Sequence, residues 1–356
     1  MTRTWYRIIL IRICMASFWI IALLIFLQLP QFITMLYPQK SITIFTWPRI
    51  LDVNYLQEFE KKTGITLYIN YYESNEELLS KLLTTGGQGY DIVIPTDYAV
   101  SWLIKHNLLK KLDKSKLAFF NTLRSELLGH YYDLNNDYSV PYFWSIYGLG
   151  INKEYFNGKT PEATWALLFD TNLIPDRIGM TNYPREAILI TAQYLFGSIN
   201  ALTNNDNIQK IKEVLLKQKE HVATYTDEMA EGLLLSQATP VAVAQSADIL
   251  RIAKEAPHID FIIPKEGSFL NIESIVIPAA STNQELVYEF LNYLYQPRVL
   301  AHHANEFAFC PPIAGKFDKD SLNFCVDTQK LQTLSFFKDI LSIDQINDIW
   351  ITLMAH

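Results

Sequence analysis

Ser41-Ile-Thr-Ile-Phe45 is a short apolar run, Val53 to Lys62 carries helical spacing and stops at Gly64, and Ile65, Leu67, Ile69 and Tyr71 then alternate. Glycine suits the left-handed residue that ends a helix, and alternation of apolar side chains marks a strand. The order strand, helix, strand is a βαβ unit, and a crossover through a helix makes the two strands parallel. This stretch decides the fold class as α/β, and the same rhythm extends from it along the chain.

Glu76 to Leu83 reads as the next helix, Tyr90-Asp-Ile-Val-Ile94 as the next strand and Tyr98 to His106 as another helix, with Thr96 or Asp97 at its cap. Further on, Pro184 to Phe196 has proline at a helix start and Gly197 just beyond its end. Asp260 to Ile263 and Ser274 to Ile277 read as strands, and Thr282 with Glu285 as a capping box for a helix reaching about Tyr295. No Pro/Gly/Ser-rich linker divides the chain and no repeat is visible. Two α/β lobes joined by crossing strands fit this order, with strand carboxyl ends and helix amino ends facing a central cleft.

Arg3, Arg7 and Arg12 precede an apolar run from Ile13 to Leu29, and no acid occurs before Asp52. Residues 1–40 are therefore expected to be a signal peptide or an uncleaved membrane anchor, with the rest of the chain outside the cytoplasm. Four of the 30 bases fall in those 40 residues, so the body carries 26 bases against 37 acids, a formal net charge of −11. An acidic body argues against nucleic acid and suits either solubility or a cationic partner. Cys310 and Cys325 are the cysteines of the body. An oxidising compartment permits a disulfide between them, and two buried thiols are an equally ordinary outcome.

Motifs of catalysis are missing. The chain has no nucleophile elbow, no His-Glu-x-x-His and no phosphate loop; Gly86-Gly-Gln-Gly89 lacks the following Lys-Ser/Thr and is expected to be a turn. His302-His303 cannot both face one metal from a helix, and both are expected at the surface. No cofactor or metal is expected, and an enzyme is not.

Six blocks in order resemble the periplasmic spermidine/putrescine-binding proteins of polyamine ABC transporters. They are Thr46-Trp47, Tyr72-Glu-Ser-Asn-Glu76, Tyr90-Asp-Ile-Val-Ile-Pro95, Leu112-Asp-Lys-Ser-Lys-Leu117, Asn135-Asn-Asp-Tyr-Ser-Val-Pro-Tyr-Phe-Trp144, and Pro264-Lys-Glu-Gly267 with Glu273-Ser274. The resemblance runs from about Ile42 to past Pro312. It implies a two-lobed, type II-like periplasmic binding protein with a hinged cleft, each lobe a mostly parallel sheet flanked by helices. It further implies a monomer in the periplasm, secreted or held at the inner membrane by its N-terminal segment, that delivers its solute to permease subunits. We draw the first lobe at 41–148 plus 274–313 and the second at 149–273 plus 314–356.

A polyamine needs carboxylates at its ammonium groups and ring faces along its methylenes. The resemblance carries ligand contacts onto Trp47, Thr96, Tyr98, Glu186, Glu273 and Phe309, the last keeping a ring where the family has a tyrosine. Four positions depart from it. Pro48-Arg49-Ile50 puts a base where the family has an acid, Tyr183 stands for another acid, and Ala244-Gln245 and Asn271 stand for tryptophans. Asp97 and Asp248 are candidates to replace the lost carboxylates. Each position also has a plainer role: Glu186 suits the first turn of a helix through the helix dipole, and Trp47 could simply fill the space between lobes. The departures leave open a different solute: Arg49 suits a ligand carboxylate, as in an amino acid or acylated polyamine, and Tyr98 with Tyr183 suits ferric ion. A sensor that binds another protein is a further alternative.

Overall fold

The computed structural model describes residues 40–226, 229–313, 325, 334–338 and 340–355, together with 15, 17 and 19. The expected signal or anchor segment, 1–40, lies outside the described residues apart from those three and Lys40. In chain order the elements are β1 (Ser41–Thr46), α1 (Val53–Thr63), β2 (Thr66–Tyr71), α2 (Asn75–Thr85), β3 (Ile92–Val93), α3 (Asp97–Lys105), β4 (Ser139–Asn152) and β5 (Ile178–Met180). There follow α4 (Pro184–Phe196), α5 (Asn205–Lys219), β6 (Val222–Tyr225), α6 (Ala230–Leu235), β7 (Val241–Gln245), α7 (Ser246–Ala253), β8 (Ile259–Ile262) and β9 (Phe269–Val276). The chain closes with α8 (Gln284–Leu294), α9 (Pro297–Phe307) and α10 (Ile343–Ala355).

The strands of the described residues form one sheet in the order β2-β1-β3-β9-β4-β7-β5-β6, with β8 also paired to β4. β1 pairs parallel with β2 and β3 at one end, and β5 pairs parallel with β6 and β7 at the other. Between these parallel sets run β4 and β9, antiparallel to each other from Ser139–Val276 to Tyr147–Phe269. Past Tyr147, β4 turns to pair with β7 and β8 instead. These two strands are the crossings between the halves of the molecule.

Each half has its own core. Ile42, Ile44, Leu56, Phe59, Phe290 and Leu291 belong to one cluster, and Trp165, Ile178, Ile190, Ile211 and Leu215 to the other. The second also takes Phe337, Ile346, Ile349 and Leu353 from the end of the chain. Burial of aliphatic and aromatic side chains, at about 25 cal/mol per Å² of apolar surface, is what holds either half together.

Local signals explain most helix ends. Asp52 accepts from the backbone nitrogens of Asn54 and Tyr55 at the start of α1, and Gly64 closes it at φ 70°. Pro184 opens α4 and Gly197, at φ 64°, closes it. Gly86 to Gly89 form the expected turn. Two expectations need correction. The capping box at Thr282 does not form: α8 starts after Asn283, whose side chain makes no capping bond. His303 is not at the surface. It is fully buried in α9, its Nδ1 2.9 Å from the Val299 carbonyl, and His302 beside it is half-buried with Nε2 2.7 Å from Asp52 Oδ2. The α9 helix packs onto Tyr55, whose ring stacks on His302 at 3.7 Å, so both imidazoles turn toward α1.

All residues of β4 are buried, and Pro141 within it has no N–H to give the ladder. The register with β9 shifts there, between Pro141 and Phe143, and the Tyr295 hydroxyl donates to the Pro141 carbonyl at 2.6 Å. Where β4 crosses, Gly148 allows a close approach: a Cβ there would lie 2.6 Å from the Ile262 carbonyl and from the Phe261 ring. Cys310 and Cys325 are joined by a disulfide, with Cα atoms 5.5 Å apart.

Candidate functional site

The topology brings several chain turns to one place. Strand β1 leads into Trp47 and the Pro48-Arg49-Ile50 turn; Thr96 and Asp97 begin α3; Tyr183 precedes α4, and Glu186 lies in its first turn; Asp248 lies in the first turn of α7; and Glu273 sits inside β9. Acids in first helical turns are favoured by the positive end of the helix dipole. Helices α3, α4 and α7 thus present Asp97, Glu186 and Asp248 to the same space.

That space is a cavity of about 240 Å³, and all eight residues singled out as ligand contacts line it: Trp47, Arg49, Thr96, Tyr98, Tyr183, Glu186, Glu273 and Phe309. Asp97 and Asp248, the substitute acids, line it as well, as do Ala244, Gln245 and Asn271.

Glu273 is the centre of the arrangement. It is 3 % exposed, Trp47 Nε1 donates to its Oε2 at 3.0 Å and Asn271 Nδ2 to its Oε1 at 2.9 Å. Both donors are uncharged, and among the described residues no Lys, Arg or His pairs with it. Burial pushes its pKa up to about 8, opposed by those two hydrogen bonds and reinforced by the nearby Asp97. Asp97 is 2 % exposed and accepts from the Tyr131 hydroxyl at 2.9 Å. Burial likewise raises it to about 7, against the Tyr131 bond and the charge of Arg185. A carboxylate buried without a cation is costly, and the cost falls when a cation arrives.

Thr96 stands between them, bridged antiparallel to Glu273 in the backbone. Although Thr96 occupies the cap position of α3, its side chain makes no capping bond, and its Oγ1 is buried with no partner among the described residues. This hydroxyl is thus available to a ligand. Tyr98 donates to Glu76 Oε1 at 3.1 Å while the Arg185 guanidinium sits 4.1 Å over its ring. Tyr183 donates to the Glu73 carbonyl at 3.5 Å, joining the start of α4 to the far side of the cleft. Phe309 is buried and stacks on Phe143 at 4.3 Å, so a flat apolar wall faces the cavity.

Several lining residues escaped the sequence, and three of them add charge or a ring to the site. Glu231 and Arg251 come from α6 and α7, and Phe337, stacked on Phe269 at 4.2 Å, comes from the end of the chain. The pair Asp248 and Arg251 at helical spacing was the one visible signal. Arg251 Nη1 lies 3.4 Å from Asp248 Oδ1, and Arg251 also pairs with Glu231. Arg49 Nη1 reaches the same Glu231 oxygen at 3.4 Å from the opposite side of the cleft. Among the described residues no group of three His, Cys, Asp or Glu side chains is placed to hold a metal ion.

The chain is similar to known solute-binding proteins. The family model described as bacterial extracellular solute-binding protein matches residues 54–323. The spermidine/putrescine-binding periplasmic protein of Salmonella typhimurium is 29% identical over 272 residues, covering 76% of this chain and 77% of that protein. The putrescine/cadaverine-binding protein of Pseudomonas aeruginosa is 28% identical over 286 residues, covering 77% and 80%. Among solved structures, the TpPotD lipoprotein of Treponema pallidum is similar with a TM-score of 0.78 at 23% identity, covering 88% of this chain and 99% of that one, a likeness of fold.

Proposed function

Since this chain belongs to the bacterial extracellular solute-binding protein family, we propose that its cleft binds a polyamine, spermidine or putrescine, and delivers it as a monomer to the permease subunits of an ABC importer. The chain is an extracytoplasmic solute-binding protein of α/β fold. The observation that carries the polyamine reading is Glu273, a carboxylate 3 % exposed among rings, held by two uncharged donors. An ammonium placed there would make a charge-assisted bond and relieve the desolvation of the acid at once. Trp47, Tyr98, Tyr183 and Phe309 supply the ring faces along which methylenes and cations pack. Thr96 Oγ1 adds an acceptor or donor beside the acid.

The proposal rests on the acids as well as on the relatives. Five carboxylates line the cavity, Asp97, Glu186, Glu231, Asp248 and Glu273, against the two lining bases Arg49 and Arg251. The relatives named for polyamines point the same way. The test is a tryptophan-fluorescence titration of the full-length protein with putrescine, cadaverine, spermidine, arginine and ferric citrate. Because Trp47 is bonded to Glu273, saturable quenching or a shift with a polyamine and not with arginine or iron supports the proposal. A response to arginine or iron alone rejects it.

A further inference from the structure

The charged side chains that line the cleft fall into two sets of different balance. In one, Glu273 and Asp97 are buried with uncharged hydrogen-bond donors. In the other, Glu231 Oε1 takes both Arg49 Nη1 and Arg251 Nη2, and Arg251 extends to Asp248. All four of these groups line the cavity, and two guanidiniums with two carboxylates carry no net charge. Arg49 comes from the turn after β1 and Glu231 from α6, so this pair spans the cleft.

We infer that Arg49 is a specificity-determining residue that limits the ligand to a short diamine and rejects a triamine. The inference rests on the polyamine reading and refines it. A short diamine keeps its ammonium groups beside Glu273 and Asp97. A longer chain would bring its last ammonium to a carboxylate oxygen already shared by two guanidiniums, where the acid is taken and the nearest charges have the ammonium's own sign. Building repulsion against the wrong ligand is as effective a source of selectivity as attraction to the right one.

Stability alone does not account for the pair. The Arg49 side chain is 63% exposed, and ion pairs so open to water contribute little to folding. Yet Arg49 is held in the left-handed region at φ 58°, where a residue with a Cβ is strained, and the next residue, Ile50, is 3 % exposed in the core and anchors the turn. The backbone thus directs a costly conformation to the mouth of the cleft.

The experiment is calorimetry of the full-length protein, wild type, Arg49→Gln and Arg49→Lys, with putrescine and with spermidine. Wild type is expected to favour putrescine by about tenfold or more, the span one unfavourable charge contact supplies. Arg49→Gln should close most of that gap by tightening spermidine, and Arg49→Lys, which keeps the charge, should retain it. Glu231→Gln, which strips the acid from both arginines, should widen it, and serves if an Arg49 variant fails to fold. Wild type that binds spermidine as tightly as putrescine, or a ratio unmoved in Arg49→Gln, overturns the inference and leaves the polyamine reading standing. No binding of either amine to any form overturns both.

Discussion

The indole nitrogen of Trp47 donates to Glu273 Oε2 across 3.0 Å, joining the turn after the first strand to the second crossing strand, 226 residues further along the chain. One side chain supplies the ring face and the other the charge that an organic cation requires. Glu273→Gln keeps the shape and removes the charge, and is expected to weaken ligand binding by about 2 kcal/mol or more, as loss of a desolvated partner does. Trp47→Phe keeps most of the ring and loses the donor, so it should cost less. Calorimetry that finds Glu273→Gln at wild-type affinity takes Glu273 out of the site.

Binding should release protons. With its pKa raised to about 8 by burial, Glu273 is mostly protonated near neutral pH in the empty cleft, and an ammonium ligand favours the ionised form. Affinity is therefore expected to rise from about pH 6 to about pH 8, before the ligand amines begin to lose charge. Binding enthalpies compared in phosphate and Tris at about pH 7 count the protons released; the count should fall sharply in Glu273→Gln. The same raised pKa has a consequence for the unliganded fold: its contribution to stability is present below about 4.5 and is lost as pH rises through about 8.

His303 works in the opposite direction. Buried in α9 against Val299, with Tyr55, His302, Phe307 and Asp52 about it, it is held neutral, its pKa lowered to about 4 mainly by burial. A depressed pKa contributes stability that is present above about 6.5 and is lost as pH falls toward 4, about 3 kcal/mol in all. Urea unfolding at about pH 7 and pH 4.5 should show a smaller acid-induced loss in His303→Leu than in wild type. Equal losses would mean that His303 is not the titrating group.

Gly148→Ala would press a methyl against the Ile262 carbonyl and the Phe261 ring, where β8 meets β4. Backbone cannot give way as a flexible side chain can. A loss of about 2 kcal/mol is expected in the same unfolding assay, in the range of overpacked cores. Cys325→Ser, which opens a loop spanning 15 residues, is expected to cost about 3 kcal/mol. Wild-type stability in either variant would contradict the packing or the crosslink respectively.

Local chemistry made the outer elements readable. Pro184 and Gly197 mark both ends of α4, and Gly64 marks the end of α1, because each satisfies a backbone demand that few residues meet. The crossing strands were harder. Every residue of β4 and β9 is buried, so neither has the alternation by which a half-exposed strand declares itself, and β4 also contains Pro141, Gly148 and Gly150. Only the end of β9 reads as strand, within Ser274 to Ile277, and β4 was legible mainly through the resemblance of Asn135 to Trp144. In the site, the positions carried by resemblance all reach the cavity. Glu231 did not stand out, because its role depends on Arg49 and Arg251, which lie 182 and 20 residues away from it along the chain. His303 misled because a pair of histidines reads as polar, while packing of α9 on Tyr55 decides where the rings go.

The most direct measurement of polyamine recognition at Glu273 is titration calorimetry of the full-length protein with putrescine, repeated on Glu273→Gln. The account predicts saturable binding at one site, with a proton released near neutral pH, and affinity reduced by at least about thirtyfold in the variant. Absence of putrescine and spermidine binding in the folded wild-type protein, or equal affinity in the variant, would contradict it.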